Sequence, residues 1–135
     1  MKAITLHQPY ATLIALGVKT IETRSWSTSY RGPIAIHAGK AAIDPELIGD
    51  RTLDIILDTW GLNINELPSG CVVATSWLTS VERTEALRDL VDDDDLQWGN
   101  FAAGRFGWVL DTVVPLDPPV PARGSQGLWD WGGAK

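Results

Sequence analysis

The sequence predicts an α+β fold: a small mixed barrel of short strands with two or three helices at its rim. Three observations lead there. The chain has 135 residues, the size of one domain, residues 1–135, able to bury a substantial core without cross-links. Its apolar segments are short, rich in β-branched residues and bounded by Gly and Pro turns, as strands are. Between them lie two or three stretches with helical spacing or helix-start signals. With 44% hydrophobic and 21% charged residues the composition is that of a globular protein and excludes a disordered chain or a coiled coil.

The elements follow in chain order. Lys2 to Leu6 is a short apolar strand. Gln8-Pro9 opens a helix, because proline fits the first turn, where its missing N–H costs nothing. Tyr10, Ala11, Leu13 and Ile14 give that helix an apolar face, and Gly17 closes it in the left-handed position glycine tolerates. Thr20 to Trp26 alternates in polarity and carries β-branched residues, as a half-buried strand does. Arg31-Gly32-Pro33 is a turn, and Ile34 to Ala38 a third strand. Asp44 as N-cap, Pro45 as first residue and the repeat Leu53, Ile56, Leu57, Trp60 up to Gly61 predict a second helix, packed as a lid on the sheet. The turn Leu67 to Gly70 leads into a buried strand over Cys71 to Leu78. Glu82 to Leu90 reads as a short surface helix, Asp92 to Asp95 as a solvated acidic loop and Phe106 to Val114 as a strand. Four prolines between Pro115 and Pro121 keep that stretch extended and out of the middle of a sheet. Gly127-Leu128-Trp129 is too apolar for a frayed end, so the C-terminal segment is expected to return and cover the barrel.

Charge narrows the partners. The formal net charge is −6, which excludes a wholly basic nucleic-acid clamp. Its distribution is uneven: residues 1–40 carry Lys2, Lys19, Arg24, Arg31 and Lys40 against the single acid Glu22, while residues 41–100 carry three basic against thirteen acidic side chains. A basic third on an acidic chain suits a phosphate or a short nucleic acid, since acids beyond roughly 8 Å are screened at physiological ionic strength. Cys71 permits no intrachain disulfide and reads as a buried small hydrophobe. Two histidines, His7 and His37, far apart in sequence, make a poor metal set, and Gly124-Ser125-Gln126-Gly127 is too short for a dinucleotide fingerprint. No metal and no cofactor is therefore expected. His7, Gln8 and Pro9 interrupt the first apolar run before a signal peptide can form, and no stretch approaches the roughly 20 apolar residues of a membrane span, so the expected location is the cytoplasm, with no membrane partner.

The densest polar cluster is Gly17-Val18-Lys19-Thr20-Ile21-Glu22-Thr23-Arg24. Alternation along a strand puts Thr20, Glu22 and Arg24 on one face, and Lys19, at the junction of helix and strand, can reach the same mouth. By spacing alone the plainer reading is a surface lysine and a cross-face ion pair worth under about 1 kcal/mol. His7, Gln8, Tyr10, Trp26, Tyr30, Arg31 and His37 belong to the same third. Aromatic faces interleaved with arginines are how single strands and splayed bases are held.

The pattern G-x-K-x-x-E-x-R at Gly17, Lys19, Glu22 and Arg24 resembles that of the ASCH domain family, named for the activating signal cointegrator 1 homology domain. The likeness extends to His7-Gln8-Pro9-Tyr10-Ala11, Arg24-Ser25-Trp26, Tyr30-Arg31-Gly32 and Pro68-Ser69-Gly70-Cys71. Towards the end it covers Phe106-Gly107-Trp108-Val109-Leu110, Pro121, Arg123-Gly124 and Gln126-Gly127-Leu128-Trp129. The resemblance implies a PUA-like β-barrel with helices at the rim and a cleft lined by the G-x-K-x-x-E-x-R segment. It also implies association with RNA or DNA, ribonuclease activity in some members and, in one small bacterial branch, amide hydrolysis of N4-acetylcytidine. In that branch the position three after the motif lysine is threonine, where this chain has Glu22.

Two readings of different class follow. In the first, the domain binds RNA, single-stranded nucleic acid or a nucleotide through a basic cleft around the motif. Lys19, Arg24 and Arg31 would meet phosphate, Glu22 would orient them or accept from a base amine, and Tyr10 or Trp26 would stack, with His7 and Gln8 at the same mouth. In the alternative, the domain is a hydrolase acting on a modified nucleoside, or a ribonuclease, with Lys19 and Glu22 catalytic and Glu82 or Glu85 as a later acid. A partner-binding module with an inert cleft is the third possibility.

Overall fold

The structure is a computed structural model that describes residues 1–133. Strand β1 (Lys2–Leu6) runs parallel to β3 (Gly32–Ala38), in register from Lys2↔Ile34 to Leu6↔Ala38. A parallel pair needs a crossover, and the chain between them supplies one as helix α1 (Tyr10–Ala15) and strand β2 (Ile21–Arg24). Strand β4 (Cys71–Arg83) pairs antiparallel with β3 and with β5 (Phe106–Pro121), and β2 pairs antiparallel with the start of β5, Glu22 opposite Trp108 and Arg24 opposite Phe106. The two-residue β6 (Trp129–Asp130) returns to β1, so the sheet order is β2-β5-β4-β3-β1-β6.

The expected barrel does not close. Closure would require a ladder from β2 to the free edge of β1, but β6 already occupies that edge at Lys2 and Ala3. Only the far end of β1 remains, and there a side chain bridges the gap: Arg24 Nη2 donates to the Thr5 carbonyl at 2.7 Å. The sheet is therefore open, with β2 and β6 as its edges.

Three further elements differ from expectation. The helix predicted after Asp44 is broken: Pro45–Leu47 is a single 3-10 turn, Gly49 is extended, α2 is only Asp50–Asp54, and a π-type turn, Ile55–Thr59, ends it. Glycine is a poor helix former, and the wide turn rotates the apolar repeat, so that Ile56 is buried while Leu57 and Trp60 are exposed. The helix predicted over Glu82 to Leu90 shrinks to α3 (Thr84–Leu87), because Glu82 and Arg83 extend β4 opposite Gly107 and Phe106. The predicted acidic loop instead starts a helix: the Asp92 carboxylate caps the Asp95 amide at 2.8 Å, and α4 runs Asp93–Gln97. The proline-rich half of β5 is extended as expected. It pairs with β4 alone, since β2 ends its pairing at Val109, and edge placement is what proline requires.

Helix α1 is buried on two sides. Ile14 packs with Ile4, Ile36, Leu78 and Trp108 against the sheet, and Leu13 packs with Ile56 and Trp98 beneath α2 and α4. The outer layer is tied by polar contacts: Trp98 Nε1 donates to Thr52 Oγ1 at 2.7 Å, and Arg51 forks onto the Asp94 carboxylate at 3.0 and 3.1 Å. On the opposite face of β1 and β3, Trp129 and Trp131 cover Ala3, Ala35 and Val72, so the C-terminal return expected from its apolar residues is present.

Candidate functional site

The motif residues are gathered by the exit from α1. Gly17, at φ +79°, turns the chain, and the Leu13 carbonyl accepts from the amides of Val18 and Lys19 at 3.1 Å each. That fold-back sends the Lys19 side chain inward, where none of it is exposed. Its ammonium donates to the carbonyls of Ile21 at 2.6 Å and Trp98 at 2.9 Å. Strand β2 is an edge, so its outer carbonyls lack a strand neighbour, and Lys19 serves one of them while fastening the chain after α4. Burial pushes the Lys19 pKa below its usual value, against the opposing pull of the Glu22 and Asp95 carboxylates.

From Lys19 a polar chain runs outward. Glu22 Oε1 lies 3.6 Å from Lys19 Nζ and accepts from the Thr23 amide at 3.1 Å. Glu22 Oε2 accepts from Arg24 Nη2 at 3.0 Å, and Arg24 is the group that also reaches the Thr5 carbonyl. Arg24 Nε is buried and has no partner among the described residues. Fixed on both sides, the guanidinium is preorganised at a mouth it cannot leave without breaking two charge-assisted bonds.

That mouth is a cleft of about 260 Å³ lined by Thr5, Leu6, His7, Tyr10, Glu22, Thr23, Arg24 and Arg105. The structure thus brings together His7, Tyr10, Glu22 and Arg24, with Lys19 directly behind them, its ammonium 6.0 Å from the centre of the Tyr10 ring. Three other candidates lie apart. Gln8 is buried and spent internally, Nε2 donating to the Pro68 carbonyl at 2.8 Å and Oε1 accepting from the Thr12 amide at 2.9 Å. Trp26 stands edge-on to Trp108 with ring centres 4.9 Å apart. Arg31 is exposed and donates to the carbonyls of Thr28 and Tyr30, both at 2.8 Å. Neither Glu82 nor Glu85 lines the cleft. Glu85 instead accepts from the Gly104 amide at 2.6 Å, which lowers its pKa and secures the loop before β5.

Sequence reasoning missed Arg105. It precedes β5, and its Nε donates to the Asn100 carbonyl at 3.1 Å. Only the pairing of Arg24 with Phe106 makes it a neighbour of Arg24, and nothing local in the sequence announces that register.

An open mixed sheet with a helix across one face carries a Lys-Glu-Arg chain at its mouth, built from the G-x-K-x-x-E-x-R segment. The ASCH domain family model matches residues 4–109, and the chain belongs to the ASCH domain family. Activating signal cointegrator 1 of Mus musculus and of Homo sapiens are each 33% identical to it over 133 residues, 93% of this chain and 21% of theirs, so the chain spans about a fifth of the length of these relatives. The crystal structure of an ASCH protein from Zymomonas mobilis superposes with a TM-score of 0.54 at 14% identity, covering 89% of this chain and 72% of that one. A mutant of the same protein gives the same score at 16% identity. Among the described residues no helix is long and apolar enough to cross a membrane.

Proposed function

We propose that the domain binds single-stranded nucleic acid, RNA foremost, over a short footprint centred on the motif cleft. The observation that carries this reading is the pair of arginines, Arg24 and Arg105, on the wall of one cleft beside the exposed His7 and the half-buried Tyr10. Arg24 and Arg105 meet phosphate, while Tyr10 and His7 offer ring surface to a base. Lys19 acts from behind: with its ammonium enclosed by carbonyls it holds Glu22, and through Glu22 it holds Arg24. Arg31 and Trp26 belong to the periphery of this footprint rather than its centre.

Two phosphate contacts on a single strand imply a salt slope of about 1.4, at roughly 0.7 per contact. Fluorescence anisotropy of short RNA and DNA oligomers across salt tests this, with Arg24→Ala and Arg105→Ala each expected to remove about 0.7 from the slope. No binding at low salt, or wild-type affinity in the double variant, would overturn the reading. The hydrolase alternative has weaker support, because the Lys19 ammonium faces two carbonyls rather than the cleft and, among the described residues, Glu22 is the one acid that lines it. Turnover of an N4-acylated cytidine or of labelled RNA that Lys19→Ala abolishes would put that alternative in its place.

A further inference from the structure

Thr5 has two neighbours of different kind. Its carbonyl closes the motif cleft, and its side chain helps to floor a larger cavity of about 840 Å³ between His37, Lys40 and the segment 121–126. Among the described residues, no carboxylate lines this cavity. On a chain of net charge −6 its charged lining residues are Lys40 and Arg123, and neither has an Asp or Glu oxygen within salt-bridge distance among the described residues. The stretch from Arg123 to Gln126 is neither helix nor strand, and its amides donate to no acceptor among the described residues.

The cavity is also built to hold its shape. A Cβ on Gly70 would sit 2.6 Å from Lys40 Cε, so the lysine stem lies directly across that glycine. A Cβ on Gly124 would sit 2.6 Å from His37 Cε1, so the segment is seated on the imidazole. His37 Nε2 meets the Ala122 carbonyl at 2.8 Å and so must carry the proton. Its Nδ1 lies 3.1 Å from the Thr5 hydroxyl oxygen, which also reaches the Ser125 carbonyl at 3.4 Å and accepts from Trp129 Nε1 at 3.1 Å. Both ring nitrogens are used, which leaves Lys40 and Arg123 as the charged lining groups without an ion-pair partner among the described residues.

We propose that this cavity is a second binding site, for a small phosphomonoester carrying a ring-sized body, such as a nucleoside 5′-monophosphate. A phosphomonoester carries about −1.5 to −2 at neutral pH and matches two cations. The arginine fork takes two phosphate oxygens while the lysine supplies a point charge. The volume falls within the roughly 300–1,000 Å³ of small-molecule sites, and the Pro121 and Ala122 carbons offer the body an apolar wall. Apart from Thr5 the site shares no residue with the motif cleft, so it stands independently of the nucleic-acid reading.

The test is titration calorimetry of the full chain with adenosine 5′-monophosphate at low salt, against adenosine and inorganic phosphate. Saturable one-to-one binding is expected for the monophosphate, with both fragments at least about tenfold weaker. Lys40→Gln and Arg123→Gln, both at exposed positions, should each weaken it by about tenfold, whereas Arg88→Gln, an exposed arginine away from both cavities, should not. Absence of saturable binding, adenosine binding as tightly as its monophosphate, or unchanged affinity in the Lys40→Gln, Arg123→Gln double variant overturns the proposal. So does a double variant that loses oligonucleotide affinity when the monophosphate itself does not bind, since the cavity would then be part of the nucleic-acid surface.

Discussion

Replacing Lys19 by methionine tests whether the motif lysine is an internal fastener. Methionine keeps the length and apolar stem but removes the ammonium, leaving the Ile21 and Trp98 carbonyls unmet in a site where no part of the lysine side chain is exposed. An unsatisfied buried acceptor costs about 1–3 kcal/mol, and the variant also recovers the desolvation of a buried charge, which offsets part of the loss. Glu22 does not become an orphan, because Arg24 at 3.0 Å and the Thr23 amide still hold it. The net expectation is a loss of about 3 kcal/mol, read as a lower urea midpoint at unchanged m-value. The effect depends on pH with a definite sign. Burial lowers the folded pKa of Lys19 below the usual 10.5, so the unfolded chain binds more protons and the lysine's contribution rises with pH from the folded value up to 10.5. The wild-type advantage over Lys19→Met should therefore grow across that window. A loss under about 1 kcal/mol would refute the reasoning; if such a variant also lost oligonucleotide binding, Lys19 would be a direct contact instead.

Other perturbations probe the supports of the two cavities. Glu85→Gln should weaken the loop that carries Arg105 and lower stability at neutral pH. Because the folded Glu85 pKa is depressed by the Gly104 amide, the difference from wild type should fade as pH falls through that value, which acid titration of both proteins by circular dichroism measures. Thr5→Val removes the hydroxyl shared by His37 and Trp129 and should cost about 1–3 kcal/mol in urea unfolding, with faster hydrogen exchange in the C-terminal return. Thr112 sits at φ +51° in the β5 bulge opposite Ser76, a region hostile to β-branched residues. Thr112→Gly should raise the thermal midpoint by an amount corresponding to about 1 kcal/mol, and a lower midpoint would mean that no strain is held there.

What the sequence disclosed and what it hid divide along a physical line. Local signals sufficed for β1, α1, β2 and most of β3, because each rests on its own period and turn residues: Pro9 and Gly17 bracket one helix, and β3 follows the turn residues Arg31-Gly32-Pro33, although Gly32 and Pro33 already pair with β4 rather than turning before it. The same local reasoning failed where pairing decides. Glu82 and Arg83 have a helical setting in sequence but lie opposite Gly107 and Phe106, and the ladder to β5 overrides the local preference. The repeat at Leu53, Ile56, Leu57 and Trp60 has the right period for a helix lid, yet Gly49 and the π-type turn cut it short, so periodicity alone could not reveal that Leu57 and Trp60 face solvent. At the site the division is the same. Spacing placed Glu22 and Arg24 on one face correctly, since period 2 within a strand is local. It could not tell that Lys19 turns inward, because the Trp98 carbonyl that receives it lies 79 residues away, nor that Arg105 completes the cleft, because only the register of β2 on β5 carries it there. The motif is therefore better understood as a device with an inside and an outside. Gly17 and Lys19 fix the edge strand from within, Glu22 transmits that fixation, and Arg24 lines the cleft, where the proposed reading has it meet a ligand, so substitutions should act on stability at the inner end and, on that reading, on binding at the outer one.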